Sequence, residues 1–328
     1  MTPERNAPSI TKTTAKSGAQ RVAVMDLGTN TFHLLITEGT VDNLNILIHE
    51  HVGVKLGEGG INKGYIHADA YKRGIDTMVA FQNEIERYNA AEVRAIATSA
   101  LRNASNGQDF VNEVQQLTGI QIETINGDRE AELIYQGIKA AGCLNNGLSL
   151  IMDIGGGSVE FILGDYKQIV WKQSFEIGAA RLMDKFHKID PIPNKAIYEL
   201  NRYLENNLDD LFSAVDGKQI DTLIGSSGSY ETFAELTEMN KGHAFDLNTI
   251  KNYSFNTQEL VNITDWLVSS SHQERKTHDG IDAIRVDMIV VASLITRFVM
   301  DKLDIKQVAM STYSLKEGVL AEMLNPGL

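Results

Sequence analysis

Two stretches of this chain follow one plan. In Val24–Ile36, VMDLGTNTFHLLI, an apolar run reaches Asp26, breaks at Gly28, Thr29, Asn30 and Thr31, and resumes. In Ile151–Phe161, IMDIGGGSVEF, an apolar run reaches Asp153, breaks at Gly155, Gly156, Gly157 and Ser158, and resumes through Glu160. Glycine loses more conformational freedom on folding than any other residue. Three in succession therefore imply a backbone path or a close approach that side chains would block. The two aspartates stand 127 positions apart. That interval is too long for a solenoid repeat and suits a duplicated domain.

The surrounding pattern supports duplication. Apolar stretches at 21–27, 32–38 and 44–51 read as three strands. A helix over 68–89, a strand over 92–100, a helix around 109–118, a short strand over 120–125 and a helix from about 128 to 141 follow. The glycine-rich loop 54–64 reads as mobile. A second set repeats the order: strands at 149–154, 158–164 and 168–175, helices at 179–187 and 194–212, and a strand at 221–225. Helical segments at 259–269 and 283–303, a strand at 307–311 and a helix at 314–324 complete it. Strands alternating with helices give an α/β architecture, here two similar domains flanking a central cleft. The expected boundaries are a disordered tail over 1–20, a first domain over 21–134 and a second over 135–313. The terminal helix, 314–328, is expected to pack back on the first.

Composition narrows the function. A formal net charge of −13 over 328 residues argues against a nucleic-acid backbone as the main partner. Any phosphate site must then be built locally, from glycine amides, a few Arg or Lys, and metal. The single cysteine, Cys143, rules out an intramolecular disulfide and, with no cluster to hold zinc, fits a reducing cytoplasm. No apolar run reaches the ~18 residues of a membrane span, and the start lacks the apolar core of a secretory signal. A cytoplasmic protein without DNA or membrane partners is expected.

Five motifs could carry chemistry. A tight turn between antiparallel strands exposes successive N–H groups that bind an anion, and Gly155, Gly156 and Gly157 would admit a phosphate without meeting a Cβ. Thr29, Asn30, Thr31 and Ser158 add donors. Asp26 and Asp153 point at the same region, and two carboxylates beside a polyanion imply a cation between them, Mg²⁺. In LIGSSGSYETF, the turn Gly225, Ser226, Ser227 and Gly228 precedes a helix and reads either as an anion site or as a serine cap with turn glycines. Arg102 follows a strand end, suited to a phosphate clamp or a surface ion pair. Glu130 opens a helix, where a carboxylate is favoured in its ionised form. It reads as a base for water or as ordinary first-turn acid. No Walker motif, nucleotide fingerprint of Rossmann type or Gly-x-Ser-x-Gly elbow is present.

Taken in order, the Asp-x-Gly turns, T-x-x-L-R at Thr98–Arg102, I-x-G-x-x-E-A-x-L-I-Y at Ile125–Tyr135, the GSSG turn and STYSLKEGVLAE at Ser311–Glu322 resemble the exopolyphosphatase/guanosine pentaphosphate phosphohydrolase (Ppx/GppA) family. The resemblance implies two actin-like (ribonuclease H-like) domains of the sugar kinase, Hsp70 and actin superfamily, and hydrolysis of a terminal phosphate with Mg²⁺ or Mn²⁺. It implies Glu130 as the catalytic carboxylate, and Asp153 and Glu160 as acids tied to metal and activity. Asp26 with Gly28 to Thr31 matches the first phosphate turn, Arg102 the phosphate-clamping arginine, and Gly225 to Gly228 the last glycine turn. Many members carry a second glutamate where this chain has Arg129, which could draw in substrate or lower the pKa of Glu130. The chain resembles the short two-domain form, and a homodimer is an open option. Polyphosphate is the expected substrate, with pppGpp the alternative. A kinase of the same superfamily and a non-catalytic alarmone or polyphosphate sensor are the rivals.

Overall fold

The computed structural model describes residues 20–40 and 43–325. The expected tail lies outside the described residues, apart from Gln20, and so do residues 326–328 of the expected terminal helix. The chain runs β1 (Arg21–Leu27), β2 (Phe32–Thr40), β3 (Asn43–Val52), α1 (Ala68–Tyr88), β4 (Glu92–Ala97), α2 (Ser99–Asn103), α3 (Gly107–Thr118), β5 (Ile122–Thr124) and α4 (Gly127–Ala140). It continues β6 (Ser149–Ile154), β7 (Val159–Gly164), β8 (Ile169–Phe175), α5 (Ala179–Phe186), α6 (Asn194–Asn207), α7 (Asp209–Val215) and β9 (Thr222–Ser226). Then come α8 (Gly228–Asn240), β10 (Asn252–Ser254), α9 (Thr257–Ser269), α10 (His272–Lys276), α11 (Ile289–Lys302), β11 (Val308–Ser311) and α12 (Leu315–Leu324).

The strands form two sheets, ordered β3-β2-β1-β4-β5 and β10-β11-β9-β6-β7-β8. Each centres on the strand that carries an aspartate, β1 or β6. Each central strand pairs antiparallel with the next strand in sequence and parallel with a later one, β4 or β9. Apart from the added edge strand β10, the two topologies are the same. This is the duplicated α/β plan that the repeated turns imply, and it accords with the two ribonuclease H-like, actin-like domains that the family resemblance implies.

What joins the sheets is a pair of helices. Val22, Val24, Leu35 and Ile96 of the first sheet and Ile151, Ile162 and Ile224 of the second pack in one core with Leu133, Ile134 and Ile138 of α4 and Leu315, Val319 and Leu320 of α12. The two helices cross at glycines. A Cβ on Gly137 would stand 2.0 Å from the carbonyl oxygen of Ser314, and one on Gly318 would stand 1.8 Å from that of Leu133. No side chain fits between these backbones, and the helices run antiparallel, with Ser314 at the start of α12 against Gly137 and Glu322 near its end against Arg129.

Several expected elements differ. The single helix over 194–212 is two, α6 and α7, broken at Leu208, whose backbone leaves the helical region (φ −113°, ψ 17°) while its side chain is fully buried. The acids Asp209 and Asp210 then open a new helix, the end that favours negative charge. The helix over 283–303 begins only at Ile289, because the preceding residues are wound in turns. Strand 92–100 stops at Ala97, and Arg102 lies on the short helix α2. The loop 54–64 is wound into turns and docked on the first Asp-Gly turn, with Lys55 N–H donating to Asn30 O at 2.7 Å and Gly57 N–H to Thr29 O at 3.0 Å. Strand β10 and helix α10 have no counterpart among the expected elements.

Overpacking a tight backbone crossing destabilises by roughly 1–3 kcal/mol, occasionally more. Gly318→Ala is expected to lose at least that much in urea denaturation, with a matching fall from Gly137→Ala. Wild-type stability in both variants would mean that the helices do not cross at these glycines.

Candidate active site

The two Asp-Gly turns meet. In the first, a Cβ on Gly28 would lie 3.0 Å from Thr31 O. In the second, a Cβ on Gly155 would lie 3.0 Å from Ser158 O, the same geometry. The turns also touch each other: a Cβ on Gly156 would approach Thr29 Cβ to 3.1 Å, and one on Gly157 would crowd Thr29 Oγ1 at 2.6 Å and Ser99 Oγ at 2.5 Å. The glycines are therefore required by the contact between the halves as well as by the turns. Between them lies a cavity of about 130 Å³.

Of the residues expected at the site, Asp26, Gly28, Thr29, Asn30, Thr31, Glu130, Asp153, Gly155, Gly156, Gly157, Ser158, Glu160, Ser227 and Gly228 line this cavity. Three do not. Gly225 lies beneath the ring of Tyr230, where a Cβ would stand 2.2 Å from the ring carbons. Ser226 is fully buried and its hydroxyl donates to Asp153 Oδ2. Arg102, expected to face the phosphate, turns instead to Glu130, donating from Nη1 to Glu130 Oε2 at 2.9 Å and to Ile125 O at 3.0 Å. Burial of Glu130 explains this, since a buried carboxylate without a partner is strongly destabilising.

The acids are buried: Glu130 is 6% exposed, Asp153 7% and Glu160 1%. Asp153 and Glu160 are directly paired across the β6–β7 hairpin. Asp153 Oδ2 accepts the hydroxyls of Ser226 and Ser314, and Glu160 Oε1 accepts that of Ser174 at 2.6 Å. Burial pushes Asp26 up to about 7, against the nearby Lys316 cation, and Asp153 and Glu317 add to the rise. Burial likewise lifts Glu160 to about 7, with Asp153 adding to the rise. It raises Glu130 well above the usual carboxyl range, reinforced by Glu160 and resisted by Arg102. Asp153 is raised by burial, although its two serine partners and Lys316 hold it down.

Sequence reading missed Lys316, Ser314, Arg285, Glu231, Thr98 and Ser99 on the cavity wall. Lys316, 8% exposed, sits in the first turn of α12 and pairs with Glu317 at 3.1 Å. The signal available was Ser314-x-x-Glu317, a capping-box pattern that marks a helix start. Ser314 N–H does donate to Glu317 Oε2, at 2.8 Å. Arg285 lies over Gly228, where a Cβ would overlap its guanidinium, which gives that glycine its reason. His33 also lines the cavity, with its buried Nδ1 unpartnered. Burial first, then Lys316 and Arg285, hold it well below the usual imidazole range. Arg129 faces away from the cavity: its Nη2 donates to Glu322 Oε1 at 2.7 Å and Oε2 at 2.6 Å, tying the start of α4 to the end of α12. It neither touches Glu130 nor points at the substrate space.

Residues 35–326 match the Ppx/GppA phosphatase family. The chain belongs to this family. An exopolyphosphatase of Cytophaga hutchinsonii, known from a crystal structure, is 39% identical, with a TM-score of 0.91 over 94% of this chain and 98% of that one. Exopolyphosphatase 1 of Mycobacterium tuberculosis is 25% identical over 311 residues, covering 93% of this chain and 88% of its own length. A guanosine-5'-triphosphate,3'-diphosphate pyrophosphatase of Pseudoalteromonas translucida is 25% identical over 304 residues, covering 92% of this chain and 59% of its own length. As a Ppx/GppA member the chain is a hydrolase acting on phosphoanhydride bonds. Among the described residues no helix is long and apolar enough to cross a membrane.

The segment that brings Arg285 to the cavity is held by Arg275. This fully buried guanidinium donates from Nε to Val286 O at 3.0 Å and from Nη2 to Asp190 Oδ2. Burial is the largest single influence and raises the Asp190 carboxyl, but the bonds from Arg275 and the His272 N–H, together with the Arg275 and His187 charges, hold the group below its ordinary value of 3.8. A depressed carboxyl stabilises the fold above its unfolded pKa and loses that contribution as pH falls through the folded value. Asp190→Asn is therefore expected to be less stable than wild type by roughly 1–3 kcal/mol near neutrality, discounted for partial exposure. The gap should begin to narrow as pH falls below about 4. Urea denaturation at pH 3, 5 and 7 measures it, and a gap that stays constant with pH would remove the ion pair from this role.

Proposed function

We infer that this chain removes the terminal phosphate of inorganic polyphosphate by in-line attack of water. The observation that carries the reading is a buried Glu130 at the start of α4, on the wall of a cavity that both glycine turns line. Amides of the two turns, with the hydroxyls of Thr29, Thr31 and Ser158, receive the oxygens of the terminal phosphoryl group, where charge develops in the transition state. Arg102 holds Oε2 of Glu130, which leaves Oε1 to orient the attacking water and accept its proton. Burial and the neighbouring Glu160 make Glu130 a stronger base than an exposed glutamate.

A metal fits the donor set in one way. Among the described residues no three His, Cys, Asp or Glu side chains converge as a ready-made cage. Mg²⁺ takes one or two carboxylates and completes its shell with water and substrate phosphates. Asp153, whose Oδ1 accepts no hydrogen bond from the described residues, and Asp26 would hold Mg²⁺ or Mn²⁺ there. The ion would supply charge neutralisation for the phosphoryl group.

Polyphosphate is favoured over a guanosine nucleotide by what lines the cavity. Among the described residues no Phe, Tyr or Trp is on its wall, and stacking on an aromatic face is a principal way to hold a base. Phosphate release from polyphosphate and from pppGpp, assayed side by side, tests this. A higher kcat/KM for pppGpp overturns the substrate assignment. Glu130→Gln is expected to fold and to bind phosphate while losing about 10²–10⁴ in turnover. Near-normal release by that variant removes Glu130 as the base.

A further inference from the structure

At the α2–α5 edge of the cavity one exposed carboxylate is held by donors from both halves of the molecule. Glu176 Oε2 accepts Ser99 Oγ at 3.0 Å and Arg181 Nη2 at 2.5 Å. Its Oε1 accepts Asn103 Nδ2 at 2.9 Å and lies 3.4 Å from Arg102 Nη2. Ser99, Arg102 and Asn103 come from α2 beside the first sheet, and Arg181 comes from α5 beside the second. The carboxylate side chain is 44% exposed, whereas those of Arg102 and Arg181 are 17% and 14% exposed. The two guanidiniums and the buried Ser99 are thus built in, whereas Asn103 and the acceptor are exposed. Arg181 also donates to Gly157 O at 3.1 Å, and Ser99 abuts Gly157, so the cluster adjoins the second glycine turn.

Two guanidiniums, an amide and a hydroxyl converging on one point make a phosphate site, here filled by a single-charged internal carboxylate. We propose that Ser99, Arg102, Asn103 and Arg181 form a second anion subsite that takes a phosphate group further along the substrate chain, and that Glu176 occupies it until substrate displaces the carboxylate. The proposal rests on the polyphosphate reading for its ligand. A polyanion leaving the cavity needs a cationic path, and beside the first glycine turn the lysines are already paired. There a cavity of about 440 Å³ is lined by Glu58, Asp184, Asp190 and Asp287 against Lys55, Lys188 and Arg275. Lys55 is paired with Asp287 and Lys188 with Asp184.

Calorimetric binding of inorganic tripolyphosphate and of orthophosphate, without turnover, provides the test, since only the longer anion reaches both subsites. Glu176→Gln removes the competing charge and is expected to tighten tripolyphosphate binding roughly tenfold, the scale of one charge-assisted bond, and to leave orthophosphate within about twofold. Asn103→Ala, which spares the contacts of Arg181 with the glycine turn, is expected to weaken tripolyphosphate selectively. Unchanged or weaker tripolyphosphate binding by Glu176→Gln, or equal shifts for both anions in either variant, overturns the subsite. Because binding is read directly, the subsite can fail while polyphosphate hydrolysis stands. It can also hold in a protein whose preferred substrate proves to be pppGpp.

Discussion

The crossing of α4 and α12 at Gly137 and Gly318 is the constraint on which the rest of the molecule depends. Backbone contact there leaves no room for even a methyl group, so the pair is thin enough to lie between two sheets and present apolar side chains to both. It also fixes where the helices begin. Glu130 stands in the first turn of one and Lys316 in the first turn of the other, and both reach the same cavity. Arg129 and Glu322 close the far side of the crossing with a two-oxygen clasp. Chemistry and architecture thus share one joint.

The cavity concentrates negative charge in a chain that is already strongly acidic. Four buried or wall-lining acids, Asp26, Glu130, Asp153 and Glu160, surround the space between the turns. Each has its pKa raised by burial. Lys316 and Arg102 offset part of that charge, and hydroxyls of Ser174, Ser226 and Ser314 satisfy carboxylate oxygens that would otherwise be buried bare. On the proposed reading, cations that accompany the substrate would offset the rest of that charge.

Much of this was legible in the sequence. The aspartate-led turns, the strands that flank them and the helix start at Glu130 are local features, and each lies within two residues of its expected position. What was not legible depends on partners far along the chain. Nothing around Lys316 marks it as buried, since its burial comes from inserting α12 between two sheets. Arg285 was hidden in an apolar stretch whose density reads as helix, whereas the backbone there is pinned in turns by Arg275 from another element. Arg102 and Arg129 were recognisable as residues but not by their partners, Glu130 and Glu322, which decide where each guanidinium points. Glycine density in loop 54–64 suggested motion, while its hydrogen bonds to Thr29 and Asn30 depend on a turn more than twenty positions earlier.

The helix that completes both the core and the cavity is synthesised after every strand of the two sheets. On the ribosome, Val22, Val24, Leu35 and Ile96 emerge long before Val319 and Leu320, which cover them in the finished protein. Until α12 emerges, the inner face of the first sheet has only α4 as its helical cover, and exposed apolar surface invites aggregation. A nascent chain stopped before α12 would carry every glycine of the two turns yet lack the lysine that balances their aspartates.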